Sequence, residues 1–176
     1  DEITDALSYH LEVPSRFLQA GGVVNIPENL YSYSPLLTQM LYGLGLGLEG
    51  VDLAGLVYFT FFVLTLGGMW WGGAELFGED GSAWAAAFLA LTPVFLLEVP
   101  QAGADWSMTF FIVTSLLLVA GERREGRRMV LAGILAGMAA ACRHQGLGYA
   151  LVLIPAAGIA ADLLNRRPRP FAPWSV

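Results

Sequence analysis

The sequence predicts an all-α membrane protein: a multi-span transmembrane helical bundle with an extracytoplasmic loop that carries short juxtamembrane helices. Three observations predict it. Of 176 residues, 56% are hydrophobic and 14% charged, against roughly 25% charged in a soluble domain, and the mean hydropathy is +0.58. The apolar residues fall into runs of 14 to 22 residues parted by short polar patches, too long for strands and of the length of helices. The nine basic residues are all Arg, and most of them gather in two short segments, the kind of asymmetry that orients membrane helices.

The elements follow in chain order. Residues 1–34 mix polar and apolar character, with Pro14, Pro27, Gly21, Gly22 and the run "YSYS", which reads as a structured loop with short helices. Pro14 suits the first turn of a helix "PSRFLQA" and Gly21 its C-terminal stop. Pro35 to Leu48 is apolar for 14 residues, about 21 Å of helix against a hydrocarbon core of about 30 Å. That length, with Gly43, Gly45 and Gly47, favours a helix lying in the interface over one that crosses. Leu53 to Ala74 offers 22 uncharged residues with Tyr58, Trp70 and Trp71 towards its ends, where amphipathic rings anchor a span. After the polar turn "ELFGEDGS" come Ser82 to Leu97, the patch "EVPQAGAD", and Trp106 to Gly121. The basic loop "ERREGRR" then leads to Met129–Cys142 and Gly146–Ala161, which flank "RHQ". The expected organisation is a loop over 1–52, about five spans over 53–164, and a cytoplasmic tail over 165–176. The opening on Asp1 and the close on "PFAPWSV" read as a fragment cut at both ends.

Charge sets the expected orientation. Arg123, Arg124, Arg127 and Arg128 should share the cytoplasmic side with Arg166, Arg167 and Arg169. Two crossings then separate the clusters, which puts Arg143 and His144 at the extracytoplasmic end; a single helix over 129–161 would run about 50 Å and overshoot the membrane. Counting back, Asp105, Glu49 and Asp52 also face out, while "ELFGEDGS" faces in. With Pro35–Leu48 in the interface, Asp5 joins Asp105 and Arg143. A net charge of −6 with no Lys excludes a nucleic-acid partner. One cysteine, Cys142, forms no internal disulfide and offers no Cys cluster for zinc.

Several stretches look familiar as an ordered set. "DALSYHLEVPSRFLQAG" followed by "NLYSYSPLLTQMLYGLGL" resembles the first extracytoplasmic loop of the GT-C superfamily of polyprenyl-phosphate-dependent glycosyltransferases. The likeness is to the bacterial family 39 type, related to protein O-mannosyltransferases and to the aminoarabinose transferases of lipid A. An Asp-Glu pair opens that loop in such enzymes, with an aromatic four positions after the Asp. Asp5 and Tyr9 keep the spacing, and Ala6 stands where the Glu would be. "SPLL", Ser34 to Leu37, resembles the Pro-Pro-Leu run that starts a juxtamembrane helix, without the preceding Lys. "TPVFLLEVPQAGADWSMTFF" matches at Asp105, and "GILAGMAAACRHQGLG" at Arg143. The resemblance implies a surface-lying helix at Pro35–Leu48, a helix before Asp1, and further helices and a C-terminal domain after the last residue.

What the resemblance implies about chemistry is sugar transfer from a polyprenyl-phosphate donor to a lipid, glycan or protein acceptor. The reaction is inverting and takes place at the extracytoplasmic face of an integral, bacterial inner-membrane protein surrounded by membrane lipids. It needs a base for the acceptor hydroxyl, and a partly buried carboxylate at the membrane surface has its pKa raised towards use. Asp5 is the expected base, with a helix cap on Ala6 as its structural alternative. Asp105 is the second catalytic candidate, or the cap of its own helix. Arg143 suits a phosphate, a pair with Asp105, or a snorkelling anchor. Tyr9, His10, Tyr31, Tyr33 and Arg143 are the candidate substrate-binding residues. His10 and His144 lack metal-ligand spacing, and Glu2 and Glu98 are weaker candidates for a cation. Metal-dependent and metal-independent enzymes both occur in the superfamily, so a divalent cation is the alternative to Arg143 as the phosphate's partner. Of the aromatics, Tyr31 and Tyr33 sit beside the expected site; Trp70, Trp71, Trp84 and Trp106 read as interface anchors. The glycines of "GLGLG" read as close helix packing. Two other classes compete: a transporter or flippase for lipid-linked sugars, and a structural subunit without chemistry.

Overall fold

The computed structural model describes residues 10–98, 103–121 and 125–166. All regular structure there is helical, with no strand among the described residues. The first helix, α1 (Glu12–Ala20), starts two residues before Pro14 and ends at Gly21. Gly21 adopts a left-handed conformation (φ 70°), and the N–H groups of Gly21 and Gly22 close on Leu18 and Phe17. That closure is the glycine stop expected at this position. A short 3₁₀ turn (Leu30–Tyr33) leads into α2 (Leu37–Leu48).

Helix α2 lies against α1 on one side and the start of α3 (Val51–Leu91) on the other. Its glycines make these approaches. A Cβ on Gly45 would lie 2.9 Å from the backbone N of Ala54, while Gly43 meets Pro14 and Gly47 meets Leu18.

Helix α3 is a hairpin. Gly78 takes φ 74° and ψ 167°, open to glycine and costly for other residues. A Cβ on Gly73 would lie 3.2 Å from that of Ser82, whereas nine residues of straight helix span about 13.5 Å. Leu89 and Phe95 accordingly pack beside Tyr58 and Phe62. The turn expected at "ELFGEDGS" is thus made at one residue, Gly78, with helix on both sides. The second arm stops at Thr92, held extended (φ −71°, ψ 115°) before α4 (Pro93–Glu98), because the residue before a proline is biased away from the helical region. The apolar run Ser82–Leu97 is therefore broken.

Four further helices complete the bundle among the described residues. The first arm of α3 runs parallel to α5 (Asp105–Ala120): Phe62 stacks edge-on against Trp106 at 4.7 Å, and further along Gly72 approaches Leu117. Helix α6 (Gly126–Cys142) runs back along α5, with Ser115 Oγ donating to the Ala132 carbonyl at 2.8 Å. It begins earlier than the apolar run, so Arg127 and Arg128 lie on the helix and not in a loop. Arg143 alone is extended (φ −159°, ψ 153°). The chain then continues through α7 (His144–Gly148), a π turn (Tyr149–Leu153) and α8 (Ile154–Arg166). Pro155 lacks an N–H for the carbonyl four residues back, and the Ile154 N–H reaches Tyr149 instead. Gly146 lets α7 turn tightly against the Ala139 carbonyl.

Two helices, Val51–Leu91 and His144–Leu163, are long and apolar enough to cross a membrane, each with hydropathy 1.7; Asp105–Ala120 is a shorter apolar helix. Large apolar side chains cover the outside, including Trp71, Trp84, Phe88 and Val152. Trp106 departs from the interface role expected of it. It is 3% exposed and wedged between Phe62 and Phe95.

Candidate functional site

Packing α5 antiparallel to α6 brings the first residue of one beside the residue that follows the other. Asp105 and Arg143 meet there, and an Arg143 Nη1–H donates to Asp105 Oδ1. Both side chains stay partly exposed, 42% and 34%. Asp105 makes no side-chain cap of its own helix, whose capping position is Ala104. Of the roles open to Arg143, the contact with Asp105 is present.

Helix α2 closes over this end through side chains that bond to α5. Thr38 and Ser107 hydroxyls lie 2.5 Å apart, and Ser107 Oγ bonds the Ala104 carbonyl at 2.9 Å. Ser107 has a single proton, spent on Ala104, so Thr38 is the donor between the two. Tyr42 donates to the Gly103 carbonyl. Burial raises the Tyr42 phenol well above the usual tyrosine range, and the Asp105 charge adds to the rise. It is a donor at any physiological pH.

His10 is 3% exposed, with its Nδ1 2.9 Å from Gln39 Nε2. Burial lowers its pKa to about 4, and the Arg143 charge acts the same way, so the imidazole is neutral near pH 7. Gln39 also lines a cavity of about 210 Å³, bordered by Tyr31, Ser34, Arg143, His144 and Gln145 as well.

The sequence-predicted residues therefore divide. His10, Tyr31, Asp105 and Arg143 converge at one end of the bundle. Tyr33 is 60% exposed, and its hydroxyl donates to Asn25 Oδ1 without bordering the cavity. Asp5, Tyr9 and Glu2 lie outside the described residues, as does the Glu98 side chain. No cluster of three or more His, Cys, Asp or Glu side chains suited to a metal occurs among the described residues.

Thr38, Gln39, Tyr42 and Ser107 belong to this end and were not singled out from the sequence. One signal was available: "TQ" is the only pair of consecutive polar residues inside Pro35–Leu48, and a polar pair in an apolar helix needs partners.

The opposite end carries a second clamp. Arg128 grips Glu75 with two bonds, 2.7 Å and 3.1 Å, and the Glu75 carboxylate rests on Gly121, where a Cβ would lie 3.1 Å from either oxygen. The Asp105–Arg143 and Glu75–Arg128 pairs thus mark the two ends of the bundle. Comparisons with protein-family models, with curated proteins and with solved structures find no match to this chain.

Proposed function

We propose that this chain forms the catalytic rim of a membrane glycosyltransferase. In that reading the helices cross the bilayer as about five spans, with the Asp105–Arg143 end facing the extracytoplasmic side. A polyprenyl-phosphate sugar and an acceptor hydroxyl meet at this rim. The acceptor oxygen attacks the anomeric carbon from the face opposite the phosphate while its proton passes to the Asp5 carboxylate. The bond from the anomeric carbon to the phosphate oxygen breaks, the electron pair stays with the phosphate, and the configuration inverts. Arg143, oriented by Asp105, meets the phosphate charge with its fork of N–H donors.

The observation that supports this reading is the convergence at one end of groups far apart in sequence: Asp105 with Arg143, and the buried His10 with Gln39, where Gln39 and Arg143 line one cavity. Asp5 is five residues from His10. A 12-residue α2 packed against the start of α3 supports reading Pro35–Leu48 as a surface helix.

The test supplies membranes containing the protein with radiolabelled polyprenyl-phosphate sugars. Wild type transfers label to an acceptor, and Asp5→Asn lowers the rate about 100-fold or more, the size of a lost general base. Unchanged transfer by the variant removes Asp5 from the mechanism. Movement of intact donor across vesicles without transfer replaces the reading with a flippase.

A further inference from the structure

Resting on that reading, we propose that Thr38 is a positioning residue: its hydroxyl joins α2 at once to the chain beside Asp105 and to the chain beside Arg143, and so holds the guanidinium in register for the donor phosphate. Thr38, Ser107 and Cys142 are fully buried and come from α2, α5 and α6. The Cys142 thiol is within hydrogen-bonding reach of both hydroxyls, and Cys142 immediately precedes Arg143. On the other side, Ser107 Oγ bonds the carbonyl of Ala104, the residue just before Asp105. One side chain on α2 therefore serves the neighbour of each member of the ion pair.

The protons give this chain of bonds one direction. The Ala104 carbonyl can only accept, so Ser107 donates to it; Ser107 then accepts from Thr38, and the Thr38 oxygen, its own proton spent, is left to accept from the Cys142 thiol. Arg143 needs such a hold because it is extended (φ −159°, ψ 153°) between two helices. The Gly146 N–H fixes its carbonyl at 2.9 Å and so the chain after it, while the bond at Cys142 fixes the chain before it. Valine has nearly the shape of threonine but neither donates nor accepts, so Thr38→Val takes α2 out of the chain of bonds. Tyr42 still ties α2 to α5 through the Gly103 carbonyl, which keeps the helix in place when the Thr38 hydroxyl is lost.

The experiment observes Arg143 directly. The full chain, carrying isotopically labelled arginine, is studied by NMR in lipid nanodiscs, and the Arg143 Nε–H resonance is assigned by its absence in Arg143→Lys. Thr38→Val shifts and broadens that resonance, and Thr38→Ser, which keeps the hydroxyl, restores it. With radiolabelled donor, Thr38→Val raises the donor KM about three- to tenfold, the worth of one hydrogen bond, with little change in kcat. Thr38→Ser leaves both as in wild type. A purely structural role would reduce the amount of folded protein and leave the resonance and KM of the remainder unaltered, and that result overturns the proposal, as does an equal shift in Thr38→Val and Thr38→Ser. If Thr38→Val does not fold, Ser107→Ala cuts the next bond towards Asp105 and is judged by the same resonance. The two readings fail separately: a resonance that follows the Thr38 hydroxyl in a chain that transfers nothing sinks the enzyme alone, and transfer with an unmoved resonance and KM in Thr38→Val sinks the positioning role alone.

Discussion

At residue scale, His10 is the group whose protonation is most tightly tied to the fold. Its buried ring faces Gln39 from α2 and the Arg143 guanidinium from the α6–α7 junction, so a proton finds low dielectric and a like charge together. The pKa falls from 6.5 to about 4. Between these values the unfolded chain binds a proton that the folded chain refuses. Stability from this residue is therefore complete above about pH 6.5 and is lost as the pH falls towards 4, by about 2 kcal/mol at about pH 5. Thermal unfolding in detergent from about pH 7 to about pH 5 should show that loss in wild type and a smaller one in His10→Gln. Equal losses would mean that His10 is not held neutral. Asp105 and Arg143 were readable from sequence because ionisable groups at the ends of apolar runs demand partners. Gln39 and Ser107 were not, since the contacts of α2 with α5 join residues 69 apart, as in Thr38 with Ser107, and no periodicity links them.

At the scale of elements, the crossing of α2 over α3 sets how closely the Thr38–Gln39 pair is held against α5. Gly45 sits at that crossing with the Ala54 N, the Ala54 Cα and the Leu53 carbonyl carbon all within 3.1 Å of where a Cβ would be. These are backbone atoms, so relief requires the helices to part. Gly43, two residues earlier, would place its Cβ 3.4 Å from the Pro14 Cβ, an ordinary contact. Both substitutions to Ala gain about 0.5–1 kcal/mol of helix preference. Gly43→Ala should therefore be neutral or slightly stabilising, while Gly45→Ala should cost about 1–3 kcal/mol net through overpacking. Chemical denaturation in mild detergent compares them, and equal stabilities would show that α2 does not bear on α3 at Gly45. "GLGLG" announced close packing in the sequence, though not which glycine carries it. Likewise "ELFGEDGS" announced a turn, and only the three-dimensional path separates Gly78, with positive φ, from Gly81, which lies within the second arm.

At the scale of the whole molecule, the Asp105–Arg143 and Glu75–Arg128 pairs and a parallel α3–α5 contact define two ends, and the α1–α2 layer sits on the Asp105 end. The hairpin turn at Gly78 and the end of α8 lie at the other, since Ile154 packs beside Ala132 and Ala136 and Gly158 already meets Val119 near the end of α5. The sequence made the helical class and the order of the apolar runs legible through hydropathy. It left the position of α2 open because 14 apolar residues suit either a surface helix or a strained crossing. Membrane topology is the property on which every functional reading rests, and one labelling experiment tests it. The native Cys142 is 0% exposed and stays silent to a membrane-impermeant maleimide. Single Glu28→Cys, Asp80→Cys and Asp162→Cys substitutions place a reporter in the loop beside α1, in the α3 turn and late in α8, all at exposed positions. With Arg127 and Arg128 towards the cytoplasm, position 28 should label in intact cells, and positions 80 and 162 only after the membrane is opened. Labelling of 28 together with 80 would place both ends of the bundle in one compartment, and a site that receives a lipid carrier at one face and stays closed from the other would have no membrane to divide it.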